Sequence, residues 1–502
     1  MNAKKIISLL LCLFMLSACA LMVGCNGGDD NSSGSNDGGV VGGDTMEDYG
    51  VTMPEFKWDG DQYKEFDVLI YSNEAQTTYF CEDVQPDLYT TTDGSLNEAV
   101  KRRNDEILSQ YGVTVKGHPV KDVAADLKLD ISSGTNLYDA ALPFMPAAAA
   151  LAQEGYLWDL KEFDDYIHFD QPWWDQSANK SLTIGNKLFL TTGDISIMPK
   201  IVSTAITFNK EILEKNFPEY NLYDMVKNNE WTFDKMLEMS RVVTADTDGT
   251  AGLSYKDSWG LSSSYGDVSA FFIAGGKNYI SKDDDDLPVI SFNDTASTTL
   301  IQQILQDLQI KEDWVFHCDE VNDGSDKWVV SLDIFGQNRA LFRTSAFSAI
   351  KKLRAYDDVQ DFGIIPFPLM TEEQDTYYTY CSARMAYGVV IPTSRVEEEA
   401  EYSAFMLELM AFGGMKHITP AYYETTLKYR DLRDDESAEM LDNYIFKNVV
   451  YDLGIIYDFG GISGMITNLM SQSSANIVSA FEEKENQIQT AIDDCVISYE
   501  LG

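Results

Sequence analysis

Short runs of β-forming apolar residues alternate along the chain with stretches of helical period. Tyr63 to Tyr71 (YKEFDVLIY) ends in Val68-Leu69-Ile70-Tyr71, a run too short for a helix and rich in strand formers, so it reads as a buried strand. From Ser95 to Tyr111, Leu96, Val100, Ile107, Leu108 and Tyr111 fall on one stripe, Ser95 and Glu98 make a capping box, and Gly112 ends the helix. Asp122 to Ser132 repeats the helical pattern until Gly134 breaks it. Tyr138 to Leu142 is the next strand, followed by Phe144, Met145 and an alanine-rich helix at Ala147 to Ala152. Strands alternating with helices predict a mostly parallel sheet, and ligands of such sheets sit outside the carboxyl ends of the strands. Glu74, in the turn after the first strand, and Phe144 are therefore candidate cleft residues.

The stretch Phe169 to Lys210 joins this series to a second one. It holds the pair Trp173-Trp174 after Pro172, strand patterns at Lys187 to Thr191 and Thr204 to Phe208, and a turn at Gly193-Asp194. The second series begins with a helix capped by Trp231-Thr232 and striped with Phe233, Met236, Leu237 and Val243. Trp259 to Ser262 is a strand followed by polar and aromatic residues through Tyr265 and Asp267. Leu300 to Ile310 is a buried-face helix. Phe335 to Phe342 passes from helix to strand, and Arg343-Thr344-Ser345 leads into a helix at Ala346 to Tyr356. Asp361 to Pro368 and Ala386 to Pro392 are strand-like and carry the chain back. The remainder is mainly helical: Val396 to Phe412, stopped by Gly413-Gly414; Glu436 to Val450; and Asn476 to Tyr499. No internal repeat is present. At 502 residues the chain exceeds one ordinary core, so the two series predict two α/β lobes. The expected division is residues 61–193 with 375–502 against 194–374.

Charge narrows the class of partner. With 81 acidic against 37 basic residues the net charge is −44, which argues against nucleic acid, since binding it needs a basic surface. Acidity of this kind keeps a secreted protein soluble. Cys81, Cys318, Cys381 and Cys495 lie far apart without metal-ligand spacing, and read as buried single thiols. At the N-terminus Lys4 and Lys5 precede an apolar segment from Ile6 to Val23, the pattern of a secretory signal. Cys19 and Cys25 each end a lipobox-like tetrapeptide. After Cys19 the chain remains apolar, whereas after Cys25 it becomes NGGDDNSSGSNDGG, a flexible tether. Residues 1–24 therefore read as a lipoprotein signal, Cys25 as the lipidated residue with Cys19 as its alternative, and residues 25–60 as the tether. A plain cleaved signal without lipid is the simpler alternative.

The order of several motifs resembles the extracellular solute-binding proteins of ABC importers, family 1, and especially large lipoprotein members from Gram-positive bacteria. The matching segments are Leu96-Asn97-Glu98-Ala99-Val100 with Arg103-Asn104, Gly134 with Tyr138-Asp139, Pro172-Trp173-Trp174-Asp175, Gly193-Asp194, and Phe208-Asn209-Lys210. Trp231-Thr232-Phe233, Asp361-Phe362-Gly363 and Pro420-Ala421-Tyr422-Tyr423-Glu424 continue the series. The resemblance implies a two-lobed type II periplasmic-binding-protein fold with a mainly helical C-terminal region. It also implies a captured solute, in this family often a carbohydrate, and delivery to an ABC permease from the outer face of the cytoplasmic membrane. A monomer without cofactor is expected. Candidate ligand residues are Trp173 and Trp174 as stacking platforms, with one ring of the pair expected to pack in the core, Phe144, Trp259 and Tyr265 as further walls, and Glu74, Asp194, Asp267 and Arg343 as hydrogen-bonding groups. Asp246 and Asp248, before Gly249, open like a cation loop but lack the downstream acidic residue at the expected place, so no metal is expected. No H-E-x-x-H, G-x-S-x-G or phosphate loop is present and the four histidines are isolated, so catalysis is not expected. A secreted carbohydrate-active enzyme and an adhesin or sensory ectodomain remain the alternatives. Metabolic labelling with a fatty-acid precursor tests the anchor. Label is expected on the unsubstituted chain and on Cys19→Ala but not on Cys25→Ala, and an unlabelled wild-type chain rules the lipoprotein out.

Overall fold

The first strand pattern becomes β1, Glu65–Tyr71, the middle strand of a parallel sheet. The computed structural model describes residues 45–74, 80–89, 94–310, 313–353, 355–359, 361–423 and 434–501. The signal-like segment, Cys19 and Cys25 lie outside them. β2 (Thr114–Val120) and β3 (Ala140–Ala141) flank β1 in the order β2-β1-β3, with Leu69 between His118 and Ala141. The helix Gly94–Tyr111 lies between β1 and β2 in sequence, and Val123–Ser133 between β2 and β3. Asp122 caps the latter by accepting from the Ala125 N–H at 3.0 Å. Single bridges, Ala141 to Val390 and Thr191 to Val389, extend the sheet with the returning segment at Val389-Val390 and then the segment ending at Thr191.

The second series builds a second sheet. Its strands are β4 (Thr204–Asn209) and β5 (Trp259–Ser263), then, beyond a hairpin of β6 (Ile280–Lys282) and β7 (Pro288–Ile290), β8 (Val315–His317), β9 (Ala340–Ala346) and β10 (Phe362–Ile365). The order is β10-β4-β9-β5-β8; β5 runs parallel to β8 and β9, while β4 is antiparallel to β9 and β10. The carboxyl ends of β5 and β9 and the amino end of β4 therefore share one edge, where Thr204 pairs with Ala346.

Three segments pass side by side between the sheets. Thr192 to Ser203 leads outward. The returning segment contains β11 (Thr379–Tyr380), which pairs with β12 (Val449–Val450) from the C-terminal region. A bridge between Ser203 and Cys381 joins the first two, and Cys381 N–H donates to the Val450 carbonyl at 3.4 Å.

Several sequence expectations are corrected. Lys187 to Thr191 and Ala386 to Pro392 form isolated bridges, not regular strands. Gly413-Gly414 does not stop its helix: Glu397–Gly413 runs into a π-helical turn at Gly414–Ile418. A Cβ at Gly414 would strike the Asp194 carbonyl oxygen, so this glycine serves close approach, not termination. Glu436 to Val450 is broken into a helix (Asp435–Met440), a π turn (Leu441–Ile445), a 3-10 turn (Phe446–Asn448) and β12.

The tryptophan pair is not exposed: Trp173 is 0% and Trp174 2% accessible. The Trp173 ring meets Tyr49 and Phe412 edge-on at 5.6 and 5.2 Å. Trp174 Nε1 donates to Glu408 Oε2 at 2.7 Å, and His168 Nδ1 lies 3.0 Å from Glu408 Oε1. Glu408 is wholly buried, and a buried carboxylate persists only when so paired. The Glu408 hydrogen bond raises the His168 pKa above its ordinary value despite partial desolvation. Beside the pair, Gly193 approaches so closely that a Cβ would collide with the Trp173 carbonyl oxygen and lie 3.0 Å from Trp174 Cα. Gly193→Ala is expected to destabilise the fold by about 1–3 kcal/mol, as overpacking does. Gly464, a helical glycine with nothing within 4 Å of a Cβ, is the control: Gly464→Ala should be neutral or stabilising by about 0.5–1 kcal/mol. Thermal or urea unfolding reads both, and a Gly193→Ala protein as stable as wild type contradicts the close approach.

Candidate functional site

The shared edge of β4, β5 and β9 opens on a cavity of about 530 Å³. Its floor is the end of β9. Arg343 and Ser345, two residues apart on a strand, share a face. Arg343 Nη1 donates to Ser345 Oγ at 2.8 Å and its Nε to Ser331 Oγ at 3.2 Å, so the guanidinium is held by neutral hydroxyls at 6% accessibility. Thr344 Oγ1 donates to Asp267 Oδ2 at 2.6 Å. The same oxygen accepts from Ser263 Oγ (2.8 Å) and the Ser264 N–H (2.7 Å), locking the end of β5 to the helix Asp267–Ala274. The facing wall belongs to the returning segment, with Tyr380, Ser382 and Arg384, and to the helix Ile462–Ser471, with Ser463, Gly464 and Thr467.

Trp328 stands at this cavity with 55% of its surface accessible. It lies in the first turn of the helix Lys327–Gly336, whose cap, Asp326, accepts from the Trp328 N–H at 2.9 Å. Lys327 Nζ sits 4.9 Å from the indole centroid and is paired with Asp319 at 2.6 Å. Sequence reasoning missed this residue. Period gave no hint, because Ser331, Leu332 and Phe335, on the same helical face, are core. The available signal was a tryptophan two residues after an aspartate cap, at an element end.

Of the residues singled out from sequence, Asp267 and Arg343 line the cavity. The others lie elsewhere. Glu74 is exposed in the turn after β1. Phe144 is half-buried and stacked on Tyr71 at 4.3 Å and Tyr387 at 5.4 Å. Trp259 is buried at the start of β5 with its Nε1 donating to the Ser254 carbonyl at 2.9 Å. Tyr265 is buried against His317 and donates to Glu320 Oε1 at 3.1 Å. Trp173, Trp174 and Asp194 border a separate cavity of about 160 Å³ with Asp175 and Lys200. There Asp194 accepts from Lys200 Nζ at 2.8 Å and from Thr419 Oγ1 at 2.6 Å. Burial disfavours the Lys200 charge, but Asp194 outweighs it and holds the ammonium pKa above its ordinary value.

The carboxylates of Asp246 and Asp248 meet that of Asp257, with an oxygen of each within 4.8 Å of the others. Asp257 is the third carboxylate that linear spacing did not place. It is buried, and already accepts from the Thr247, Asp248 and Ser254 N–H groups at 2.7, 2.9 and 2.8 Å. These bonds tie the loop's backbone to the Asp257 side chain.

No protein-family profile and no curated relative matches the chain. Solved structures do. One is a cyclo/maltodextrin-binding protein complexed with maltotetraose, with a TM-score of 0.54, 16% identity, and coverage of 88% of this chain and 98% of the other. Another is UgpB from Mycobacterium tuberculosis in complex with glycerophosphocholine, with a TM-score of 0.52, 17% identity, and coverage of 79% and 95%. At this identity the likeness establishes architecture: the chain has the α/β, two-lobed type II periplasmic-binding-protein fold with a mainly helical C-terminal region.

Proposed function

We propose that the protein is a solute-binding component of an ABC importer that captures a carbohydrate in the 530 Å³ cavity and delivers it to a membrane permease. The observation that carries this reading is the cavity itself, an edge dense in hydroxyls beside the exposed face of Trp328. Flat aromatic faces cover the apolar C–H faces of sugar rings, while fixed polar groups meet the ring hydroxyls. The structural neighbour solved with maltotetraose supports the same class.

Capture follows from the placement of the two walls. Arg343, Asp267 and Trp328 belong to the second sheet and its helices; Ser382 and Ser463 belong to the returning segment and the C-terminal region. A solute touching both walls favours the closed arrangement, because only that arrangement offers the full set of contacts. The three side-by-side segments are the natural hinge, with residues 61–193 and 375–502 moving as one lobe against 194–374. An acyl chain on Cys25, or on Cys19, would hold the protein at the outer membrane face and raise its concentration near the permease. Among the described lining residues Asp267 is the one carboxylate. Glycoside hydrolysis ordinarily needs two, flanking the bond, which favours binding over cleavage.

Titration calorimetry of the full chain with a panel of oligosaccharides should give saturable binding and no product. Trp328→Ala is expected to weaken it about two- to tenfold, the worth of one stacked aromatic. Gly464→Trp, which places a ring in open cavity space, should abolish it while unfolding temperature is maintained. Product accumulation would make the protein an enzyme, and binding indifferent to both substitutions would move the site elsewhere.

A further inference from the structure

We infer that the helix Ile462–Ser471 selects the solute: a sugar ring lies against the bare backbone at Gly464, and the Asn468 side-chain amide, one turn further on, brackets two adjacent hydroxyls of that ring. The inference rests on the carbohydrate reading. It narrows that reading to rings with two adjacent free hydroxyls and no bulk on the side facing the helix.

The first observation is a glycine that the fold itself does not require. Gly464 lies inside a helix, where glycine is less favourable than alanine. Two needs ordinarily justify a glycine, a left-handed backbone or a close approach. Gly464 meets neither: its φ is not positive, and a Cβ there would find no atom within 4 Å. Among the described glycines with such open space, Gly94 alone also lacks a positive φ, and it opens its helix instead of standing inside it. The space over Gly464 is the cavity, which this residue lines together with Thr467 and Asn468.

The second observation is that the wall is fixed. Ile462, Met465, Ile466, Leu469 and Met470 are buried on the opposite face of the helix. At its start the Ser463 N–H donates to Asp458 Oδ1 at 3.0 Å, and just past its end Gln309 Nε2 donates to the Ser474 carbonyl at 2.8 Å. Gly464 and Asn468 are both exposed and four residues apart, which puts them on one face about 5–6 Å from each other. A wall held in this way offers its shape before the solute arrives.

The third observation is the amide. Thr467 spends its hydroxyl within the helix, donating to the Ser463 carbonyl at 3.0 Å. The Asn468 side chain is exposed, and among the described residues no hydrogen bond engages its amide. An amide sets an acceptor beside two donors, the complement of neighbouring hydroxyls that each donate and accept. In a 1,4-linked sugar chain the adjacent pair left free is at C2 and C3.

Calorimetry on the full chain with cellotriose, mannotriose, xylotriose and maltotriose tests this. Gly464→Ala is expected to unfold at the wild-type temperature or above, yet to bind the tightest of these probes about five- to tenfold more weakly, and Gly464→Leu about a hundredfold more weakly, as overpacking does. Stability kept while affinity falls separates a role at the ligand from a role in the fold. Asn468→Ala is expected to weaken the same probe about two- to tenfold, the worth of a hydrogen bond. It should also bring cellotriose and mannotriose closer in affinity, since these two differ only in the direction of the C2 hydroxyl. Gly464→Ala and Gly464→Leu proteins that bind as the wild type does overturn the inference and leave the carbohydrate reading standing. An Asn468→Ala protein with unchanged affinity for every probe does the same. Silence from all four probes overturns the inference together with the reading beneath it.

Discussion

The structure depends on one close backbone approach. Gly193 lies against the Trp173 carbonyl oxygen and Trp174 Cα, at the point where the chain leaves the first sheet. The backbone there is pinned from both sides: Asp194 N–H donates to the Trp173 carbonyl at 2.8 Å and Asp175 N–H to the Thr192 carbonyl at 3.0 Å. The tryptophan side chains then anchor this knot to the helix Glu397–Gly413, Trp173 through Phe412 and Trp174 through the buried side chain of Glu408. From the same knot Asp194 reaches Lys200 along the outgoing segment and Thr419 beyond the π turn. Buried ion pairs contribute little net stability when intact, but breaking one exposes an uncompensated charge to a low dielectric. Such a knot defines a joint more than it strengthens the fold.

The joint sets where the 530 Å³ cavity lies. The outgoing segment delivers β4 with its amino end beside the carboxyl ends of β9 and β5. Backbone polarity, helix starts and the short polar side chains Ser263, Thr344 and Ser345 converge there, as they do at the strand ends of open α/β sheets. The returning segment, paired to the outgoing one through Ser203 and Cys381, brings Ser382 and Arg384 to the other wall. The cavity and the crossing segments thus share the same backbone, which is what the proposed capture by closure requires.

Most elements were legible in the sequence because they carry their own periodicity. β1, the helix Gly94–Tyr111, β4, β5 and the helix Ile477–Leu501 follow from stripe, cap and stop signals. Failures came where a local rule met a tertiary demand. Gly413-Gly414 reads as a helix stop, but Arg103 and the Asp194 backbone need the space. Trp173-Trp174 reads as a pair that offers a stacking platform, but the knot needs both rings inside. Asp267 and Arg343 were accessible to sequence reasoning because strand ends are recognisable. Trp328 and Ser463 were not, since nothing in the spacing of residues so far apart relates them.

The sequence by itself determined the alternation of strands and helices, and hence the α/β class, the two series and the helical C-terminal region. Periodicity and capping are local properties, read within a few turns of chain. Only the tertiary structure decided which aromatics are core and which face solvent, which glycines mark contact instead of termination, and which hydroxyls share a cavity with Arg343 and Arg384. Burial and proximity are set by the packing of elements hundreds of residues apart, and that geometry has no signature in the order of residues along the chain.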